Sequence, residues 1–398
     1  MTDYWNIIKE KFRNENGIMS IGVSDIVGSG ISSIFWLYIA SVIEPGDYGE
    51  IHYFLGIVGM AQIFSMFGNA NVLTVYSAKN ENVQSTLFLL SIIPTIISCI
   101  TIIVLFDRID AGLLAIGYVV FQSVNAVLLG RKYYRKYAKM ILIQKSLTIV
   151  LGISFFHFIG PEGIIFALTL TFIPHLIIFS KEFKTTKIDF SILRSKIKFI
   201  LNNYFMTISG GFGGQIDKII LAPLLGFNLL GNYSLSFQLF TILVMFSSIA
   251  FKFLLPQDAS GISNKKTKKI IIIASFGISI LGFFVLPKLI PIFFPKFIDT
   301  VDAIGIMSLA VVPEAITMLY MSKMLGREKS KFILIAKLVS LITVVAGFII
   351  LGPIFGIIGL AGVIVIASVL QAGFLAFSNK FLEGEENEKW WTNDGHHQ

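Results

Sequence analysis

Little of this chain is charged: 14% of its 398 residues are Asp, Glu, Lys or Arg, against 55% hydrophobic. A water-soluble domain needs about a quarter of its residues charged, so that class is excluded. Cysteine is nearly absent. The single Cys99 lies inside an apolar run, which rules out a disulfide framework within one chain. Histidine is scarce as well. His157 and His175 fall near expected helix ends, His396 and His397 near the terminus, and none has metal-ligand spacing. No catalytic constellation, metal site or cofactor is expected, and the chain is not read as an enzyme. What is present points one way. Phe (37), Gly (34) and Pro (11) are high for soluble helices. They are ordinary in membrane helices, where neighbours re-satisfy broken backbone bonds.

A helix needs roughly 20 apolar residues to cross the hydrocarbon core. The runs 18–43, 51–76, 83–106, 111–129, 140–159 and 163–180 meet that length, and so do 199–222, 229–253, 270–294, 301–325, 332–351 and 355–381. The expectation is an all-α polytopic membrane protein of about twelve transmembrane helices. Its first run is too long for a signal-peptide core and is read as a retained helix.

The loops orient these spans. Alternate connections carry 26 Lys and Arg, and the opposite set carries three, Arg108, Lys288 and Lys296. An excess of this kind marks the cytoplasmic side, so both termini are expected inside, in the cytoplasmic (cell) membrane. The formal charge of +8 is then topology, with basic loops against anionic membrane lipids. Nucleic acid is not an expected partner. The outer loops, such as 107–110 and 160–162, are too short for a soluble domain.

The two halves resemble each other. Ile141-Leu142-Ile143-Gln144-Lys145 leads to Gly160-Pro161, and Ile333-Leu334-Ile335-Ala336-Lys337 leads to Gly352-Pro353, both at an offset of 192 residues. Asp47-Tyr48 and Asn232-Tyr233 each open an outer-to-inner helix. This pattern predicts two parallel six-helix repeats around a central cavity, a transporter architecture. The expected divisions are a cytoplasmic segment 1–17, a bundle 18–180, a linker 181–198, a bundle 199–381 and a disordered tail 382–398.

Pro45-Gly46-Asp47-Tyr48-Gly49 resembles the Pro-x-x-Tyr-Gly start of the second helix in polysaccharide flippases. Those are the Wzx-type members of the multidrug/oligosaccharidyl-lipid/polysaccharide exporter superfamily. Asp217 to Leu221 and Leu230-Gly231-Asn232-Tyr233-Ser234 resemble their passage from seventh to eighth helix. The chain departs from some relatives in stopping after twelve spans, and its spans hold few Arg or Lys. The resemblance implies export of a polyprenyl-linked oligosaccharide by alternating access. The implied partners are that lipid-linked oligosaccharide and other polysaccharide-assembly membrane proteins.

An ionisable group at the bilayer centre costs roughly 2.5–3.5 kcal/mol on insertion scales, so each one calls for a role. Asp25 is read as a cavity-facing carboxylate or an interfacial one. Asp217 matches the family pattern; Lys218 beside it contacts a phosphate or snorkels outward. Lys145 and Lys337, repeat equivalents, are candidates for a cationic cytoplasmic mouth, with snorkelling as the alternative. Glu314 is mid-span after Pro313. Gln62, Asn69, Asn71, Gln215 and Gln238 are cavity candidates that would bond sugar hydroxyls or neighbouring helices, while Gln122, Asn125 and Gln371 are read as packing groups. Gly28, Gly30, Gly210, Gly211, Gly213 and Gly214 mark the first helix of each half as a hinge or as a close-packing surface.

A drug or cation antiporter of the same superfamily would share this topology, and Asp25, Asp217 and Glu314 do not exclude it. A membrane-embedded oligosaccharide polymerase is disfavoured by the short outer loops. A major-facilitator transporter is disfavoured because 77–82 lacks its Gly-x-x-x-Asp-Arg pattern.

Overall fold

The computed structural model describes residues 2–67, 70–81, 83–211, 214–260, 264–327 and 329–393. Among them every regular element is an α-helix. The first eight are α1 (Thr2–Val42), α2 (Pro45–Ser65), α3 (Ala70–Ala78), α4 (Gln84–Phe106), α5 (Ile109–Gly130), α6 (Tyr134–Ile159), α7 (Gly163–Leu170) and α8 (Ile173–Phe183). The remainder are α9 (Ser191–Gly211), α10 (Ile216–Ala259), α11 (Lys265–Phe284), α12 (Leu286–Phe293), α13 (Thr300–Ser308), α14 (Val311–Gly326) and α15 (Ser330–Asn393).

Seven of these are long and apolar enough to cross a membrane, and three bent pairs bring the number to ten. The pairs are α2 with α3, α7 with α8, and α13 with α14, bent by 46°, 40° and 41°. Two long helices are themselves divided. Gly226 (φ 83°) breaks α10 and Gly356 (φ 57°) breaks α15. Both backbones are in the positive-φ range that glycine enters without steric cost. The apolar stretch of α15 is 53 residues, about 80 Å of helix where about 30 Å suffices. Gly356 therefore separates two crossings. The seventh expected span, 199–222, takes in the end of α9 and the start of α10; of the residues between them, 214 and 215 are described and are not α-helical. The protein is a multi-pass membrane protein, and its outward faces are apolar: Val104, Phe377 and Phe158 are 75%, 71% and 89% exposed. Hydrocarbon accepts such a surface as water does not.

The chain forms two compact units, residues 1–39 with 51–216, and residues 40–50 with 217–398. In the first, α5 is the central helix, with 67% of its apolar window buried. Its neighbours α3, α4, α7 and α8 surround a core that includes Val72, Leu87, Val119 and Val124. Phe88 stacks on Phe179 there at 4.4 Å. In the second unit, Thr300 Oγ1 donates to the Asn232 carbonyl (3.0 Å) and Ser279 Oγ to the Ser308 carbonyl (2.8 Å). Tyr48 and Tyr233, matched in the repeat, are both buried in this unit, edge-on to Phe297 and Phe348.

Three expected boundaries shift. The connection 181–198, expected as a linker, is tied down in its first half. Ser85 N–H donates to Thr186 Oγ1 (3.0 Å), Asp189 N–H to Thr86 Oγ1 (2.9 Å), and Arg131 pairs with Glu182 (2.8 Å). These bonds hold its first half on the start of α4. Next, α9 belongs to the first unit, where Tyr204 Oη donates to the Phe64 carbonyl (2.7 Å) and Lys196 pairs with Glu81. The division thus falls between Ile216 and Asp217. Finally, the tail expected to be disordered continues α15 as helix to Asn393, in keeping with the helix propensity of its Glu and Lys residues; 394–398 lie outside the described residues.

Candidate functional site

In the first unit α1 and α6 run side by side in the same direction. Tyr137 Oη donates to Asp25 Oδ1 (3.1 Å), and Tyr38 Oη is bonded to His157 Nε2 (2.9 Å). Between those ends, Gly28 faces Ile141 and Lys145: a Cβ there would stand 3.2 and 3.4 Å from their side chains. Tyr137, Ile141 and Lys145 are spaced by four residues, so they share one face of α6. The parallel run agrees with three crossings between them, α2 with α3, α4 and α5.

Beside that seam lies a cavity of about 210 Å³. Helix α1 supplies Ser32 and Trp36, α2 supplies Gln62, and α5 supplies Tyr118, Phe121 and Gln122. Helix α6 adds Gln144, Lys145 and Thr148; Leu168 and Phe172 close it at the bend between α7 and α8. The lining holds one cation and no carboxylate. Lys145 has no ion pair among the described residues.

The orientation of the Gln144 amide follows from its partners. Thr148 Oγ1 donates its only hydrogen to the main-chain carbonyl of Gln144 (3.0 Å), and Thr171 Oγ1 donates its own to the main-chain carbonyl of Leu168 (2.6 Å). Both hydroxyls can therefore only accept from Gln144. They take Nε2–H bonds at 3.2 and 3.1 Å. That fixes Nε2 toward the threonines and leaves Oε1 buried with no partner among the described residues. A buried acceptor in this state asks for a donor.

The structure brings two sequence candidates, Gln62 and Lys145, into this cavity. Lys145 lies about 17 Å along α6 from its start, well past a mouth, and Lys337 is exposed on α15. The repeat equivalents thus have different surroundings. Gln122, read as a packing group, lines the cavity. Asp25 is bonded to Tyr137 on the adjacent seam. Asn71 is exposed, and Asn69 and Gly213 lie outside the described residues. Gln215, half-buried, packs on Gly59, and its Oε1 has no partner among the described residues.

In the second unit Asp217 is buried and accepts from Tyr233 Oη (3.1 Å), and Glu314 accepts from Ser368 Oγ (2.8 Å). Lys218 and Gln238 are half-buried there. Gly210 and Gly211 end α9, and Gly214 sits in the break before α10 with open space around it. Gly28 is a contact surface against α6, and Gly30 faces open space. Gln144, Thr148, Ser32 and Trp36 were missed as site residues. Their signal is a Gln-Lys-x-x-Thr cluster inside an apolar run, opposite Ser32 and Trp36 one helical turn apart. Among the described residues no group of His, Cys, Asp or Glu could hold a metal ion.

No protein-family model matches the chain, and no curated protein matches it in sequence. Solved structures do. A multidrug resistance MATE family transporter of the MOP superfamily, inward-facing, matches with TM-score 0.68 at 14% identity, over 93% of this chain and 99% of that one. The chain has the fold of these transporters. Lipid II flippase MurJ, in an inward closed conformation, matches with TM-score 0.72 at 14% identity, over 90% and 87%. A MATE in complex with MaL6 matches with TM-score 0.64 at 15% identity, over 94% and 97%. These neighbours are named as transporters and a flippase, and what the chain shares with them is the fold.

Proposed function

We propose that this chain is a Wzx-type flippase that moves a polyprenyl-(pyro)phosphate-linked oligosaccharide across the cytoplasmic membrane by alternating access, with both termini in the cytoplasm. The observation that carries this reading is the chemistry of the first unit's cavity. Three amides (Gln62, Gln122, Gln144), two hydroxyls and the rings of Trp36 and Tyr118 suit sugar hydroxyls and pyranose faces. Lys145 adds a positive charge with no carboxylate in the lining to offset it. An organic cation about 4 Å from that ammonium would be repelled by about 4 kcal/mol at an effective dielectric near 20, close to a thousandfold in affinity.

The second reading is a cation or drug antiporter. It is favoured by the carboxylates of the second unit, the buried Asp217 and the half-buried Glu314, and the multidrug neighbours have the same fold. A deletion strain separates the two. Under the flippase reading, lipid-linked oligosaccharide accumulates on the cytoplasmic leaflet and is cleared when the gene is restored. Unchanged lipid-linked pools together with altered drug sensitivity would favour the antiporter.

A further inference from the structure

We infer that the basic pocket at the joined ends of α3 and α5 is a binding site for the headgroup of one anionic glycerophospholipid, with its phosphate held by Lys132 and Arg131. Under the topology proposed above, that lipid belongs to the cytoplasmic leaflet. The inference does not depend on what the protein moves.

A polar pocket of about 500 Å³ lies at this end of the first unit, apart from the cavity that holds Lys145. Three segments wall it. Helix α3 ends in a left-handed turn at Asn80 (φ 53°), with Glu81 N–H donating to the Tyr76 carbonyl (3.0 Å). Helix α5 ends the same way at Lys132 (φ 59°), with Tyr133 N–H donating to the Leu128 carbonyl (2.8 Å). Gly130 lets the two ends abut: a Cβ there would stand 2.4 Å from the Thr74 carbonyl oxygen. Thr185 and Thr186 form the third wall, the latter held on the start of α4 by Ser85.

The charge here is lopsided. Segments 77–81, 130–139 and 181–187 carry nine Lys or Arg and two carboxylates, Glu81 and Glu182. Both carboxylates are taken, Glu81 by Lys196 and Glu182 by Arg131. Gln84 is used up as well, since its amide donates to Glu182 and accepts from Arg131. Arg131 spends two of its five N–H groups on this frame. Lys132 is exposed and has no ion pair among the described residues. The two helix C-termini supply about one negative charge between them, far short of the excess of cations. The donors left over in the lining are therefore cationic, and an anion is their strongest partner. Apolar groups beside the pocket favour a lipid over a free anion. Tyr133, in the lining, is exposed, and so are Ile188 and Phe190 just past Thr186. Aromatic rings among lysines suit the membrane interface, and basic pockets between spanning helices on the cytoplasmic side suit lipid headgroups.

The test uses the full-length protein in an uncharged detergent and dihexanoyl phosphatidylglycerol, a soluble short-chain lipid, with binding followed by calorimetry. One equivalent is expected to bind, at a half-saturation about tenfold below that of dihexanoyl phosphatidylcholine, whose choline cancels the phosphate charge. Lys132→Gln should raise the half-saturation of the anionic lipid about tenfold, while Lys132→Arg should leave it unchanged. Ala78→Phe puts a ring into the pocket without altering its charge and should weaken binding too. Lys265→Gln with Lys266→Gln removes two exposed cations from another basic connection and should change nothing. Equal binding of the two lipids overturns the inference, and so does binding that Ala78→Phe leaves intact. Lys132→Gln acting no more strongly than the Lys265 and Lys266 pair overturns it as well, and would leave only diffuse surface charge. Inorganic phosphate saturating at the same concentration as the lipid overturns it in favour of a soluble anion. None of these readouts involves transport, so the lipid site and the flippase reading stand or fall separately.

Discussion

Gly231 packs directly on the carbonyl of Pro45: a Cβ at position 231 would stand 1.8 Å from that oxygen. Gly49 has the reciprocal relation to Phe227, whose carbonyl oxygen a Cβ would meet at 1.9 Å. Backbone oxygens cannot turn aside as a flexible side chain can. Gly231→Ala is therefore expected to destabilise the protein by 1–3 kcal/mol or more, on the order of other overpacking substitutions. Thermal unfolding of the purified protein checks this. Gly30→Ala, where a Cβ meets open space, should leave the midpoint unchanged and serves as the control.

That contact explains part of the sequence motif and shows what could be read in advance. The apolar runs, the basic connections and the paired Asp47-Tyr48 and Asn232-Tyr233 were all visible in the sequence. Crossing length and loop charge act through local composition. The break near Gly226 lay inside the expected turn 223–228, because positive φ is a local demand that glycine meets. The membership of 40–50 in the second unit was not legible, since it depends on Gly49 and Gly231 meeting across almost half the chain. The cavity was hidden for the same reason. Gln62, Gln122 and Lys145 were each visible as polar residues in apolar runs, but nothing in their spacing brings α2, α5 and α6 together. Lys337, the repeat equivalent of Lys145, is exposed on α15, so likeness in sequence does not carry over to likeness of surroundings.

Tyr137→Phe removes the hydroxyl that donates to Asp25. A carboxylate stripped of a donor in a half-buried position costs about 1–3 kcal/mol. The variant should unfold several degrees earlier. Asp25→Asn retains an acceptor for the same hydroxyl, so its midpoint should fall less; an equal drop for both would remove Tyr137 as a structural partner.

Gln62→Leu and Gln122→Leu fill the cavity wall with apolar surface of similar size. Each is expected to cut surface polysaccharide severalfold while folded yield in the membrane holds. Lys337→Ala, on an exposed face, should change neither quantity. Polysaccharide output normalised to protein level is the measurement. Loss of yield and output in proportion would make the two glutamines packing groups after all.

Arg131 bonds Glu182 Oε2 and Gln84 Oε1, both at 2.8 Å, and so fastens the end of α8 to the start of α4. Arg131→Ala leaves the two acceptors without their cation. Trypsin should then cut at Lys181, Lys184 or Lys187 markedly faster than in the parent. Cleavage confined to inside-out vesicles would also place this segment in the cytoplasm. Cleavage from the outside would reverse the topology.

Because residues 40–50 belong with 217–398 while the chain on either side of them belongs to the first unit, the polypeptide passes between the units three times. A gene divided at 181–198, the place that the repeat invites, would not yield two self-sufficient halves. The first fragment would carry an 11-residue strap without the surface it packs on, and the second would present Gly231 and Phe297 uncovered. A duplicated ancestor with this exchange is committed to a single chain. Any split version must recover the strap in trans before it can work.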